Sequence, residues 1–196
     1  MLKLGRCFTA TEKKHPYDGV NWIKRDAIIR DKDGNTSFEQ KGVTFPDFWS
    51  DTAVNIVVNK YFYGHVGTED REDDLRTLIN RVVNKISEWA EKEKYFDSES
   101  LQIFKEELTY MLVHQIFCFN SPLWFNIGTP FPQVSSACYI NELKDDMGSI
   151  LDMVRREGRI FQAGSGSGMN VSNLRAENEK VAGRGRSSGP VSFMKL

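Results

Sequence analysis

The segment Val134-Ser135-Ser136-Ala137-Cys138-Tyr139-Ile140-Asn141, with the helical pattern that follows it, decides the fold class. Its strand-like run of small residues predicts a strand, and a helix is predicted to open at Asp145, with Met147, Ile150, Leu151 and Val154 as its apolar residues. A strand followed by a helix predicts parallel strands joined by crossover helices. Parallel strands need neighbours on both faces and edges, so the expected fold is α/β with an incomplete sheet.

The residues before this segment predict a hairpin and then helices. Asp26–Arg30 and Ser37–Gln40 are expected to pair across the turn Lys32-Asp33-Gly34-Asn35, because Asp-Gly supplies the positive φ angles of a tight turn. Apolar residues from Asp73 onward recur at three- and four-residue steps and predict a long helix. A second helix is expected with Ser98 as its N-cap, after a short connection over Lys94–Asp97.

Two stretches give weaker patterns. Trp49–Tyr63 mixes aromatic and polar residues without a clean period, and no element is assigned to it. After residue 119, three prolines exclude a long helix and predict loops and turns. The change of character predicts two parts, residues 1–118 with the hairpin and helices and residues 119–196 with the start of the α/β region.

Composition limits the class of protein. The 196 residues are 40% hydrophobic, and 26 basic against 27 acidic side chains give a net charge of −1, which favours neither nucleic acid nor a membrane surface as a partner. No apolar run reaches the roughly 18 to 20 residues of a membrane span, and no secretory signal opens the chain, so a cytoplasmic location is expected. Three widely spaced cysteines fit neither a disulfide framework nor a zinc site, and no metal constellation is predicted.

The residues with chemical potential leave alternatives open. The glycines of Gly164-Ser165-Gly166-Ser167-Gly168 would let a ligand approach the backbone closely, but a flexible turn explains them equally well. The small neighbours of Cys138 leave space for a ligand beside its thiol, whereas a buried structural cysteine is the commoner case. Asp145 and Asp146 suit the N-terminus of the predicted helix, as caps and as partners of its dipole.

Four sequence blocks, in a fixed order along the chain, favour the functional interpretations of the glycine stretch and of Cys138. They are Phe119-Asn120-Ser121-Pro122-Leu123-Trp124-Phe125-Asn126, then Ser135-Ser136-Ala137-Cys138-Tyr139-Ile140, then the Gly-Ser-Gly-Ser-Gly stretch, then Ser188-Gly189-Pro190-Val191-Ser192-Phe193-Met194. Together with Tyr17-Asp18, Arg25-Asp26-Ala27 and Phe48-Trp49-Ser50 they resemble the class II, adenosylcobalamin-dependent ribonucleotide reductases. The resemblance runs over nearly the whole chain but covers only the opening quarter or so of a usual member.

The resemblance implies a helical preface and the first strands of a ten-stranded α/β barrel. It implies reduction of ribonucleotides, here expected to be ribonucleoside diphosphates, to deoxyribonucleotides by thiyl-radical chemistry. Adenosylcobalamin would be bound mainly by residues absent from this chain, and the radical cysteine would lie beyond residue 196. The chain alone is therefore expected to be inactive.

The resemblance also assigns residues. It implies that Cys138 is one thiol of a redox pair that ends as a disulfide, and that Ser121, Ala137, Cys138 and Gly166 contact the substrate. It implies that Asp145, Asp146 and Met147 bind a deoxynucleotide or ATP effector, with Arg175 available for its phosphates. The stretch Gly183-Arg184-Gly185-Arg186-Ser187 is more basic than the family pattern, which leaves effector specificity open.

The implied partners are the C-terminal remainder of the reductase, a thioredoxin-like reductant and a second copy in a homodimer, with no membrane and no nucleic acid. Two alternatives remain. The chain could be a non-catalytic nucleotide-binding module, or part of a reductase that receives its radical from a separate subunit. Retention of Cys138 argues against the first, and the Asn-Ser-Pro-Leu-Trp-Phe-Asn block argues against the second.

Overall fold

A computed structural model describes residues 1–9, 15–181, 183 and 185–195. They form two compact units, Met1–Ser135 and Ser136–Leu196. The units therefore divide after Ser135, whereas the change of sequence character suggested a division after residue 118. The segment 119–135 belongs to the first unit because Leu123, Trp124 and Ile127 are buried in its core.

The first unit opens with the predicted hairpin, which is longer than expected. Strands β1 (Trp22–Arg30) and β2 (Thr36–Pro46) pair antiparallel. In the turn, Gly34 has a φ of 84°, and the Asp31 carboxylate accepts the backbone N–H groups of Asp33 and Asn35, both at 2.9 Å. These hydrogen bonds hold the tight turn that the Asp-Gly pair predicted.

Helix α1 (Asp51–Lys60) lies in the stretch to which the sequence gave no element. Ser50 caps it, since its side chain accepts the backbone N–H of Ala53 at 3.2 Å. Val54 and Val58, four residues apart, are buried on its inner face. The pattern was obscured because polar residues and the aromatic residues on either side interrupt the short apolar stripe.

The two long helices are confirmed as α2 (Leu75–Lys92) and α3 (Ser98–Val113), which pack against each other. The expected N-cap of α3 is wrong by one residue. Asp97 caps the helix by accepting the Ser100 backbone N–H at 2.8 Å, and Ser98 is the first helical residue. Asp at this position is as good a cap as Ser and carries the charge that the helix dipole favours.

The first nine residues lie along α3. The Glu107 carboxylate accepts the backbone N–H groups of Cys7, Phe8 and Thr9 at 3.1, 2.8 and 2.9 Å. Arg6 pairs with Glu106. We call residues 6–9 the N-terminal strap.

Between residues 119 and 135 the loop prediction is wrong for six residues, which form helix α4 (Ser121–Asn126). Asn120 caps it by accepting the Leu123 N–H at 3.1 Å, and Pro122 sits in its first turn, where no N–H is needed. The helix is short, as the prolines required. Arg81 on α2 holds the C-terminal end of α4 in place, because it donates to the Ile127 carbonyl at 2.7 Å. The same guanidinium forms an ion pair with buried Glu72 at 2.8 Å.

The second unit is a mixed α/β arrangement. Its elements are β3 (Cys138–Asn141), α5 (Met147–Gln162), β4 (Gly166–Met169) and α6 (Pro190–Phe193). β3 and β4 pair parallel, as the strand and helix order predicted. Leu143, Ile150, Met153 and Leu174 form its small core.

Some predicted boundaries in this unit are corrected. The strand expected over Val134–Asn141 is confined to β3, and the cap of α5 is Asp146 rather than Asp145, since Asp146 accepts the Ser149 N–H at 3.2 Å. The α/β class is confirmed, but the described residues hold two separate two-stranded sheets and no closed barrel. Within the same residues, no helix is both long and apolar enough to cross a membrane.

Candidate functional site

The Cys138 thiol stands on an open face of the parallel strand pair. Cys138 is opposite Gly166 in the register, and Ile140 is opposite Gly168. Alternation along the strands puts these four residues on one face. Cys138 is exposed and Ile140 is 87% exposed, so little covers this face.

Glycine at position 166 keeps the space beside the sulfur free. A Cβ built there would lie 4.0 Å from Cys138 Sγ and 3.5 Å from the Ala137 carbonyl oxygen. The space is therefore open without being strained, and a flat group could lie over β4 beside the thiol. Within this chain Cys138 is exposed, so the core of the second unit does not bury it.

Hydrogen bonds fix the start of both strands. The Gly166 N–H donates to the Ala137 carbonyl at 2.7 Å, and the buried Ser165 hydroxyl donates to the Ser136 carbonyl at 2.7 Å. On the other face, Asn141 Nδ2 donates to Ser167 Oγ at 2.8 Å. The Gly-Ser-Gly-Ser-Gly stretch is thus largely an ordered strand, with a helix end before it, because its serines hydrogen-bond to the neighbouring strand.

Three of the four expected substrate residues are therefore neighbours, namely Ala137, Cys138 and Gly166. The fourth, Ser121, belongs to the first unit, where it begins α4 and its hydroxyl lies 3.0 Å from the Tyr61 hydroxyl.

The four expected effector residues line a single cleft of about 310 Å³ in the second unit. Arg175 Nε donates to the Asp145 carboxylate at 2.8 Å, with both side chains about one-third exposed. Asp146 caps α5, and Met147 beside it is 58% exposed. The cleft thus offers a cation, two carboxylates and an apolar side chain at one helix N-terminus, a set able to bind a charged and partly flat molecule.

Arg186 and Ser188 also line this cleft, and the sequence did not single them out as ligands. Arg186 donates to the Asn178 carbonyl at 3.0 Å, which holds its side chain in the loop. The basic character of the 183–187 stretch was the signal that could have pointed to it. Arg184, from the same stretch, lies outside the described residues. No group of three or more His, Cys, Asp or Glu in the described ranges could hold a metal ion.

Two family models match the chain. Residues 23–115 match the family model described as class II vitamin B12-dependent ribonucleotide reductase. Residues 136–196 match the model of the ribonucleotide reductase barrel domain. The chain belongs to the class II vitamin B12-dependent ribonucleotide reductases.

Relatives within this reductase family match along the whole chain. The vitamin B12-dependent ribonucleotide reductases of Streptomyces avermitilis and Streptomyces clavuligerus are each 52% identical to it over 196 residues, which is 99% of this chain and 20% of theirs. The enzyme of Rhodopirellula baltica is 36% identical over 226 aligned positions, covering all of this chain and 22% of its own. The chain therefore spans about a fifth of the length of the curated reductases that it matches.

The reductase matches divide the chain where the structure does. The barrel-domain match begins at residue 136, the first residue of the second unit, which carries both Cys138 and the cleft at the start of α5. The other match lies within the first unit. In this reductase chain, the exposed thiol and the charged cleft thus belong to the barrel-domain segment.

Proposed function

We propose that this chain contributes a redox thiol, substrate contacts and an effector site to a reductase that converts ribonucleotides, as the diphosphates, into deoxyribonucleotides. The observation that carries the proposal is the exposed Cys138 thiol beside Gly166 on an open sheet face. The remaining strands of a ten-stranded α/β barrel, supplied by the rest of the protein, would enclose this face.

The proposed reaction balances with two thiols. The ribose C2′–OH bond breaks, the hydroxyl leaves as water after taking a proton, and two thiols become a disulfide while the C2′ position gains hydrogen. Cys138 is one of these thiols. Its partner lies in the rest of the protein, at a distance that a disulfide allows. Cys138 forms no disulfide with the other two cysteines of this chain, so it remains available to pair with that partner.

Substrate contacts follow from the same face. Gly166 and Ala137 would let the nucleotide approach the backbone because neither places a large side chain over the strands. Ser121 would contact the substrate from the first unit through its hydroxyl, which can donate one hydrogen bond while accepting from Tyr61.

The cleft at the start of α5 is proposed as the effector site. A deoxynucleotide or ATP would place its phosphates at Arg175, whose guanidinium can form two parallel hydrogen bonds to phosphate oxygens. Asp145 and Asp146 would accept hydrogen bonds from sugar or base groups, and Met147 would pack on the base. Arg175 must then exchange part of its pairing with Asp145 for the phosphates.

The family is vitamin B12-dependent. We propose that its cofactor here is adenosylcobalamin, which when bound supplies the radical by breaking its carbon–cobalt bond. The clefts found among the described residues have volumes of about 290 to 580 Å³, too small to enclose a cobalamin. The cofactor is therefore assigned mainly to the rest of the protein, and no step above runs through it.

Partners follow from the thiol and from α5. A thioredoxin-like protein would return the disulfide to thiols, in keeping with a reducing, cytoplasmic location. Met147, Leu151 and Phe161 lie exposed along α5, and a second copy could cover them in a homodimer. Sedimentation of the reconstituted enzyme with and without Leu151→Lys tests the dimer, which the lysine should dissociate.

Reconstitution tests the function. The chain is assayed for ribonucleotide reduction with adenosylcobalamin and a dithiol, alone and mixed with a protein supplying the rest of the reductase. We expect activity only in the mixture. Cys138→Ser should abolish turnover and leave nucleotide binding largely intact. The control is Cys7→Ser, which removes an exposed thiol near the N-terminus and should change neither turnover nor binding. Undiminished turnover with Cys138→Ser would refute the proposal, and nucleotide binding without activity in any mixture would favour a non-catalytic module.

A further inference from the structure

Tyr61 is a residue of the first unit that the sequence did not single out. It directly follows α1, where its backbone N–H donates to the Val57 carbonyl at 2.8 Å. Its own carbonyl accepts a hydrogen bond from Arg81 Nη2 of α2 at 3.3 Å. The backbone of Tyr61 is therefore held by two helices.

The ring of Tyr61 lies against α4, the short helix that Ser121 begins. Its centroid is 6.3 Å from that of Trp124, with the two planes 27° apart, and 5.7 Å from that of Phe125. Trp124 is part of the buried core, so this ring cannot move away without opening the core. Because the backbone and two aromatic contacts restrict the Tyr61 side chain, its hydroxyl has a defined position at the start of α4.

The Tyr61 hydroxyl lies 3.0 Å from the Ser121 hydroxyl, and both residues are partly buried. Among the described residues it is the one hydrogen-bond partner of that serine hydroxyl. The backbone at Ser121 is held as well, since Asn120 caps α4 and also donates from Nδ2 to the Ser135 carbonyl at 2.9 Å. A serine side chain still has staggered rotamers and a rotating hydroxyl. The contact with Tyr61 therefore selects one orientation of a side chain whose backbone is already fixed.

The direction of this hydrogen bond decides what Ser121 can offer to a ligand. Each hydroxyl can donate one hydrogen bond and accept others. When Tyr61 donates to Ser121 Oγ, the serine proton remains available for an acceptor, and nucleotides carry acceptor oxygens on their phosphates and sugar. A hydroxyl that already accepts a hydrogen bond is also polarised, which makes it a better donor. The pair therefore favours Ser121 as a donor to the nucleotide.

We propose that Tyr61 is a positioning residue for the substrate. Its hydroxyl donates to Ser121 Oγ and thereby holds the Ser121 hydroxyl in the orientation that donates to the ribonucleotide. Tyr61 acts through Ser121 and does not itself contact the substrate. The inference rests on the proposed function, in which Ser121 is a substrate contact. It adds to substrate binding a residue that lies 60 positions before Ser121 in the chain.

Tyr61→Phe in the reconstituted reductase tests this role, because it removes one oxygen and keeps the ring against Trp124 and Phe125. The KM for the ribonucleotide should rise about threefold to tenfold, as the loss of one net hydrogen bond implies. The kcat should change by less than about twofold, since the contact serves the ground state and the transition state equally. The matched control is Tyr63→Phe. The Tyr63 ring contacts Phe131, so this variant should leave both KM and kcat unchanged.

A double-variant cycle separates positioning from a structural role. Ser121→Ala should also raise the KM. The double variant Tyr61→Phe/Ser121→Ala should have the same KM as Ser121→Ala, because no serine hydroxyl is left for Tyr61 to orient. A structural effect of Tyr61→Phe would instead raise the KM again when it is combined with Ser121→Ala. Chemical denaturation of every variant checks that the fold is retained.

A raised KM in both single variants, with no further rise in the double variant, supports the proposal. An unchanged KM in Tyr61→Phe, with a raised KM in Ser121→Ala, would overturn it and leave the substrate contact of Ser121 in place. Increases that multiply in the double variant would also overturn it, because Tyr61 would then act independently of Ser121. An unchanged KM in Ser121→Ala would refute the substrate contact itself, and the positioning role of Tyr61 with it.

Discussion

Cys138 and Gly166 face each other across the parallel pair of β3 and β4, so that a side chain at position 166 would begin 4.0 Å from the thiol sulfur. This contact distance is ordinary for carbon and sulfur, and the alanine variant should therefore fold. The thiol is accessible because residue 166 is a glycine and has no side chain beside the sulfur.

The first prediction concerns this pair. Gly166→Ala should slow alkylation of Cys138 by iodoacetamide by roughly threefold, because a methyl group in contact with a thiol reduces the exposure on which its reactivity depends. Cys7 and Cys118 in the same sample serve as internal references, followed by mass spectrometry of the labelled peptides. Equal rates for Cys138 in both proteins would show that position 166 does not control access. In the reconstituted reductase, the same variant should reduce turnover.

The second prediction concerns the effector cleft. Arg175→Ala should weaken deoxynucleoside triphosphate binding to the reconstituted reductase by about tenfold to a hundredfold, since a hydrogen bond to a charged group contributes about 1.5–3 kcal/mol. Arg175→Lys should fall between, because it keeps the charge and loses the two-pronged geometry. Arg155→Ala removes an exposed cation that pairs with Asp152, and should have no effect. Calorimetric titration measures all three, and an unaltered affinity in Arg175→Ala would place the effector elsewhere.

The third prediction compares two glycines in the loop after α1. Gly64 and Gly67 both have positive φ angles, 86° and 91°, but a Cβ at Gly64 would lie 2.6 Å from the Asp70 carbonyl, whereas one at Gly67 meets nothing within 4 Å. Gly67→Ala should lower the free energy of unfolding by about 1–2 kcal/mol, the cost of the left-handed conformation. Gly64→Ala should cost about 1–3 kcal/mol more, because the backbone at 70 and 71 must also move. Chemical denaturation measures the difference, and equal losses would contradict it.

The fourth prediction is a pH dependence of the N-terminal strap. Burial raises the pKa of Glu107, but hydrogen bonds from the Thr9 hydroxyl and from backbone N–H groups of the strap outweigh it and lower the pKa below the ordinary 4.5. A lowered pKa means that the carboxylate stabilises the strap above the unfolded pKa and loses this contribution as pH falls through the folded value. Hydrogen-exchange protection of the Phe8 and Thr9 amides should therefore fall below pH 4.5 and be restored above it.

The control for the strap is Glu107→Gln, which keeps an accepting oxygen and removes the titrating charge. In this variant the protection of both amides should be lower and should no longer change with pH in this range. Amides of the β1–β2 hairpin report whether the whole unit unfolds. A strap whose protection follows the hairpin amides at every pH would show global unfolding and contradict the prediction.

Several features were predictable from the sequence because they depend on residues close together in the chain. The Asp-Gly turn fixed the hairpin through Asp31 and Gly34, and the three- and four-residue spacing of apolar residues fixed α2 and α3. Helix α1 was missed because its buried face rests on Val54 and Val58 alone, a stripe too short to stand out. The cap of α3 was misplaced because Asp97 and Ser98 are both good caps, and only the backbone geometry distinguishes them.

By itself, the sequence determined the α/β order of the second unit, the family through four ordered blocks, and Cys138 as a candidate thiol. Only the tertiary structure decided that this thiol is exposed beside Gly166 and that Asp145 pairs with Arg175 thirty positions later. The physical reason is the separation along the chain of the residues that determine each feature. Local hydrogen bonds and periodicity depend on neighbouring residues, so the sequence shows them directly. Exposure and long-range pairing depend on how distant segments pack, and the shapes of the packed side chains decide that.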